Sequence, residues 1–163
     1  MAFCTFLHKI HIFENIAIEI EFVDGKYRWR CKNLEKGGER TSYLFNSAED
    51  CMINAVVEGW RQKIARESFP SAIIDPDTDI IIEANAVAKE LFKMPSGVVL
   101  KDSSFWSDLQ QREDYRRSLE VYGTSQRKVT LLDSTGSEFE VLADDRIVIV
   151  AEQKPLIIAK AIV

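Results

Sequence analysis

The chain is poor in the residues that mark several common protein classes. Of 163 residues only 3 are Cys, 2 His, 4 Pro and 7 Gly. Cys4, Cys31 and Cys51 all lie in the first third, are odd in number and share no spacing. A disulfide framework is therefore not expected, and reduced thiols in a cytoplasmic protein are. Residues 69–163 contain neither Cys nor His, so that stretch has no thiolate nucleophile, imidazole base or thiolate–imidazole metal set. There is no Walker loop, no GxGxxG and no Ser-His-Asp set. No apolar run approaches the roughly 20 residues that span a bilayer. The short apolar Met1–Leu7 run is followed by Lys9 and Glu14 and has no small-residue cleavage site, so no signal peptide is expected.

An excess of positive charge is missing as well. Residues 1–68 hold ten basic and ten acidic side chains. The remaining 11 basic and 16 acidic ones fall in residues 69–163, which carry the whole net charge of -5. Phosphate binding needs clustered positive charge, so nucleic acid is not the expected partner. With 46% hydrophobic and 29% charged residues, the chain can still bury a core of ordinary size.

The sharpest boundary is Ser68-Phe69-Pro70, because Pro70 holds Phe69 extended and ends an incoming helix. It divides the chain into a β-rich element over 1–46, a connecting helix over 47–68 and a mixed domain over 69–163. In the first element, Asn15–Val23 and Lys26–Lys32 alternate across an Asp24-Gly25 turn, and Arg40–Phe45 returns. Tyr27, Trp29 and Cys31 share one phase; Arg28, Arg30 and Lys32 share the other. That basic-aromatic interleaving imitates a nucleic-acid strand, but a core face backed by a solvated face explains it more simply. Ser47 is an N-cap for the helix Ala48–Glu67, with Glu49 and Asp50 in its first turn. Met52, Val56, Trp60 and Ile64 recur at helical spacing. They are candidates for a homodimer seam, or else pack on the N-terminal strands. Cys4, His8 and His11 would share a face only on a helix, and they lack a fourth ligand, so no metal site is expected.

Beyond the boundary, the apolar strands Ser71–Asp75 and Ile80–Glu83 flank Pro76-Asp77-Thr78-Asp79, which is turn chemistry. A short helix follows over Asn85–Phe92, then a bulky Phe105-Trp106 pair in a loop, then a helix over Gln111–Tyr122 closed by Gly123. Strands are expected over Gln126–Leu132, Glu138–Val150 and Leu156–Val163, with a bend at Asp144-Asp145. Asp75, Asp77 and Asp79 alternate as calcium ligands do, but the Gly and Glu of an EF-hand are absent at their spacing. The expected fold class is α+β: a five-stranded antiparallel sheet with flanking helices, after a small strand-rich element and a long connecting helix.

This order, the segment Ala72–Phe92 and the turn Asp133–Phe139 resemble the PAS family. Asp75 matches the family's acidic residue near the opening hairpin turn, and Asn85 the Asn that opens the next helix. Residues 1–68 carry no such resemblance. The resemblance implies a non-enzymatic sensory and protein-interaction module of bacterial-type signal transduction. Its cofactor stays unknown. A cysteinyl-flavin photosensor needs a Cys and a His-ligated haem needs a His, and residues 69–163 have neither. A small apolar ligand against Phe92, Phe105, Trp106, Tyr115 and Tyr122 is one expectation, and a core simply filled by those aromatics is another. With no output domain after Val163, the expected output is a protein contact, by homodimerisation or by docking to a separate effector. The competing readings are an enzyme or carrier using the same cavity, and a nucleic-acid-binding N-terminal module.

Overall fold

A computed structural model describes residues 4–13, 16–33, 38–150 and 154–163; the side chains of 4–13, 16, 32, 33 and 38 lie outside the described set. The chain divides into two compact units, Met1–Lys63 with Val150–Lys154, and Ile64–Ile149 with Pro155–Val163. Among the described residues no helix is long and apolar enough to cross a membrane.

The first unit is a four-stranded antiparallel meander followed by a helix. Its strands are β1 (Cys4–Phe13), β2 (Ile16–Val23), β3 (Lys26–Asn33) and β4 (Gly38–Thr41), paired in that order, and the helix is α1 (Ala48–Ala65), whose last two residues, Ile64 and Ala65, belong to the second unit. Asp24 and Gly25 both take positive φ, 48° and 82°, as a tight hairpin turn requires. The turn sets the register Ile20↔Trp29 and Ile18↔Cys31. These four side chains form a buried cluster with Cys51 and Ala55 of α1. The Trp29 indole N–H, which must be paired when buried, donates to Asn54 Oδ1 at 2.7 Å. Burial in this apolar cluster pushes the Cys51 thiol up to about 11, so it stays protonated.

The opposite phase of the strands is charged and self-paired. Arg28 meets Glu21 at 2.8 Å, and Arg30 meets Glu21 at 3.2 Å and Glu39 at 2.9 Å. Strand β1 lies in the stretch expected to be β-rich but is not among the strands expected there, the first of which begins at Asn15. Its register slips between Phe6 and His8 and again between His11 and Phe13, which breaks the alternation that would reveal a strand. Cys4, His8 and His11 therefore sit on a strand, and the helical face that would gather them does not form; their side chains lie outside the described residues. The return strand is also shorter than expected, Gly38–Thr41 with a single bridge from Phe45 to Tyr27.

The second unit holds a five-stranded antiparallel sheet in the order β6-β5-β9-β8-β7, built from β5 (Ser71–Asp75), β6 (Ile80–Ala84), β7 (Thr124–Leu132), β8 (Glu138–Val150) and β9 (Lys154–Ile162). Helices α2 (Ala86–Leu91) and α3 (Leu109–Tyr122), with a 3-10 turn over Asp102–Phe105, join β6 to β7. The α+β class and the element order expected from the sequence are those observed. The bend expected at Asp144-Asp145 is not: β7 and β8 pair without a slip from Thr124↔Arg146 to Leu132↔Glu138. The two Asp residues simply alternate, with Asp145 buried and Asp144 half-buried.

The core of this unit gathers Ile74, Tyr115, Leu119, Val129, Val141 and Ile157 around the aromatic residues discussed below. Helix α3 is capped by Asp108, whose carboxylate accepts from the N–H groups of Gln110 and Gln111. It ends at Gly123, in the left-handed region at φ 75°. A Cβ at Gly123 would meet nothing within 4 Å, so only backbone strain opposes it. Gly123→Ala is accordingly expected to cost about 1 kcal/mol in urea unfolding without altering the circular dichroism spectrum.

Candidate functional site

Two features of the second unit concentrate chemistry: a cavity inside the sheet-and-helix layer, and a polar junction at its entrance strand. The cavity measures about 70 Å³. Phe92, Phe105 and Trp106 line it, as the sequence suggested they could. Phe92 stands edge-on to Phe105 with centroids 5.7 Å apart, a favoured aromatic geometry. Tyr115 is fully buried and packs on Trp106 at 5.6 Å, behind the wall rather than in it. Its hydroxyl donates to the Ser125 carbonyl at 3.1 Å, and burial beside Asp145 holds the phenol well above its ordinary range.

Tyr122 does not join this set. It shares the phase of Tyr115 and Leu119 but lies in the last helical turn, next to the Gly123 cap, and is 76% exposed. Helical spacing identifies a face, not how far along the helix the core extends.

The polar part of the cavity was not expected. It consists chiefly of two buried carboxylates, Asp102 from the 3-10 turn and Asp145 from β8. Asp102 accepts from Arg112 Nε at 3.0 Å and from Arg116 Nη2 at 2.6 Å, both one turn apart on α3. Arg112 also reaches Asp79 Oδ1 at 2.6 Å, and Ser103 closes on the same carboxylate through both its N–H and its hydroxyl. Asp79 thus serves an ion-pair network rather than a calcium loop, and it adopts φ 61° in the turn to do so. Asp75 caps the turn from the other side, accepting from the Asp77 N–H at 3.0 Å. Among the described residues no group of three or more potential metal ligands forms.

Asp145 receives less. The Lys160 backbone N–H donates to it at 3.3 Å, and the Tyr115 hydroxyl lies nearby. Burial first, and then the negative charge of Asp102, push its carboxyl up to about 7. The signal for Asp145 was present in β8, where it continues the inward phase of Val141 and Ala143. A carboxylate in an apolar phase is the anomaly to look for.

The junction centres on Asn85, only 5% exposed. Its side chain makes four hydrogen bonds, the full capacity of a primary amide. Oδ1 accepts from Ser71 N at 3.1 Å and from Ala88 N at 2.9 Å, capping α2. Nδ2 donates to the Ile64 and Phe69 carbonyls, both at 2.9 Å. One residue thus fastens the last turn of α1 to the first residue of β5 and the first turn of α2. The Lys160 ammonium covers the Phe69 ring at 4.2 Å, adding a cation–π contact to the same corner.

On α1, Val56, Trp60 and Ile64 are buried within one chain, and Met52 packs against the first unit's core. Arg28 and Arg30, the basic strand residues, are engaged by Glu21 as described above.

Neither a protein-family model nor a curated protein matches the chain. Solved structures do. A variant of RsLOV matches with a TM-score of 0.55 at 16% identity, covering 64% of this chain and 65% of its own. The LOV protein of Rhodobacter sphaeroides gives 0.54 at 16% identity, with the same coverages. The PAS domain of a Colwellia psychrerythraea protein gives 0.54 at 11% identity, covering 66% of this chain and 97% of that domain. The chain spans about 65% of the length of the LOV structures it matches. At these identities the likeness is one of fold, and the fold it defines is PAS-like over roughly two thirds of the chain.

A cysteinyl flavin does not fit this site. Residues 69–163 offer no thiol, and a cavity of about 70 Å³ falls well short of the roughly 300 Å³ or more that ligands of that size occupy. A His-ligated haem fails on the same volume and on the missing His.

Proposed function

We propose that the chain is a non-enzymatic PAS-type sensory and interaction module of signal transduction. Occupancy of its cavity is relayed to α1, and the output is a protein contact. The observation that carries this reading is Asn85. Its amide ties the Ile64 carbonyl of α1 to Ser71 and Ala88, and both Ser71 and Ala88 line the cavity. A change in the cavity that shifts β5 or α2 strains this amide and loosens or tightens the helix end. Backbone amide exchange in the last turn of α1 reads that effect. Ala143→Val, which adds two methyl groups at the cavity wall, is expected to change protection there several-fold; unchanged exchange counts against the relay.

The contact is made either by self-association or by docking to a separate effector. Burial of Val56, Trp60 and Ile64 within one chain favours the effector, because a seam through those residues must first be uncovered. Sedimentation velocity at high micromolar concentration separates the two, and a monomer removes the homodimer.

The convergence of Asp102 and Asp145 on one cavity supports a second reading, a small-molecule carrier or enzyme. If the cavity's ligand is recovered unchanged by native mass spectrometry after prolonged incubation, turnover is excluded for that ligand.

A further inference from the structure

Resting on the reading of the cavity as a ligand site, we infer that its ligand is a small organic ammonium ion, held by Asp145. Volume limits the size. At about 70 Å³ the cavity is about half of a roughly 150 Å³ apolar cavity that holds a benzene, room for a few non-hydrogen atoms.

Charge sets the sign. The cluster at the cavity contains three carboxylates, Asp79, Asp102 and Asp145, against the two guanidinium groups of Arg112 and Arg116. Both arginines are committed to Asp102 and Asp79, which leaves Asp145 as the acid in excess. The remaining cation at the wall, the Lys160 ammonium, is drawn onto the Phe69 ring. An anionic ligand would bring a further negative charge to two buried carboxylates, at a large cost. A neutral hydroxyl could hydrogen-bond to Asp145 but would leave its charge unbalanced above about pH 7, where the carboxyl ionises.

The walls fit an alkylammonium as well. Ala88, Ala143, Ala159 and Ala161 leave room for a short alkyl tail, and Phe105 and Trp106 present aromatic surface near a cation. Binding requires ionised Asp145. It therefore weakens as the pH falls below about 7, where Asp145 takes up a proton in a field set by Asp102, Arg116, Tyr115 and the Lys160 N–H.

The test is titration of the whole chain with ethylammonium chloride at pH 8, against ethanol, sodium acetate and potassium chloride at matched ionic strength, read by protein NMR shifts of the cavity residues. Saturable binding of ethylammonium is expected, tenfold or more tighter than ethanol, with none for acetate. Asp145→Asn, nearly isosteric, should weaken ethylammonium at least tenfold, and its own NMR spectrum shows whether it is folded. Lowering the pH to 5 should weaken binding to the wild type by a similar or larger factor.

Equal binding of ethanol and ethylammonium, unaffected by Asp145→Asn, overturns the ammonium assignment while leaving the cavity a ligand site. Absence of binding by every probe up to several hundred millimolar also overturns it. The relay reading is judged separately, by exchange in α1 of the Ala143→Val protein, which needs no ligand.

Discussion

Asp145→Asn is expected to stabilise the protein at pH 8 and to flatten its stability profile between pH 4 and pH 7. The carboxyl of Asp145 is raised from its ordinary 3.8 to about 7 in the folded protein. A carboxyl with a raised folded pKa holds its proton more tightly folded than unfolded. Below the unfolded value both states are protonated and the group costs nothing through ionisation. As the pH rises through 4 the unfolded chain releases its proton while the folded one retains it, and stability falls until the folded carboxyl also ionises near 7. Over that window the loss is on the order of 4 kcal/mol. Asparagine never ionises, so the variant loses only a smaller amount from altered hydrogen bonding to Lys160. Urea unfolding of both proteins at pH 4.5, 6 and 8 measures the difference. The variant should be no better than the wild type at pH 4.5 and clearly better at pH 8. Parallel profiles would show that Asp145 is already charged and satisfied in the folded state.

The second large effect belongs to Asn85. Asn85→Ala takes the shared acceptor from the Ser71 and Ala88 N–H groups in a buried corner, and leaves the Ile64 and Phe69 carbonyls with only the Glu67 N–H and the Ser71 hydroxyl as donors. Loss of a helix cap costs about 1 kcal/mol, and each buried group left unpaired about 1–3 kcal/mol. Water entering the enlarged corner recovers part of this, so a loss of about 4 kcal/mol is expected by urea unfolding. Asn85→Asp keeps both accepting bonds but sets a carboxylate against two carbonyls, so the helix end is released while the cap survives. Asp75→Ala, which removes the turn bond from the Asp77 N–H, provides the contrast at about 0.5 kcal/mol. If Asn85→Ala cost no more than Asp75→Ala, the junction would not hold the helix end.

Much of the second unit was legible because its local signals agree with one another. Pro70, the Asp77-Thr78-Asp79 turn, Asn85 and Gly123 each mark a boundary by backbone chemistry, and the boundaries fall where the elements begin and end. Asn85 could be named from the sequence as a cap. Its two donors to Ile64 and Phe69 could not, because those carbonyls lie 21 and 16 residues away and only the fold brings them in. The carboxylate cluster was hidden for the same reason. Asp79, Asp102, Arg112, Arg116 and Asp145 come from a turn, a 3-10 segment, a helix and a strand, and no spacing rule links them. Tyr122 was misplaced because periodicity gives direction around a helix and not depth along it. Strand β1 escaped because two register slips erase the alternation that identifies a strand.

The proposed function stands or falls with the coupling of the cavity to α1 through Asn85. A double-variant cycle in amide exchange tests it most directly, with the wild type, Ala143→Val, Asn85→Asp and the combination compared at the last turn of α1. The prediction is that Ala143→Val shifts protection there several-fold when Asn85 is present and leaves it unchanged in the Asn85→Asp background. Equal shifts in both backgrounds would contradict the claim, because the cavity would then reach the helix by a route that bypasses Asn85.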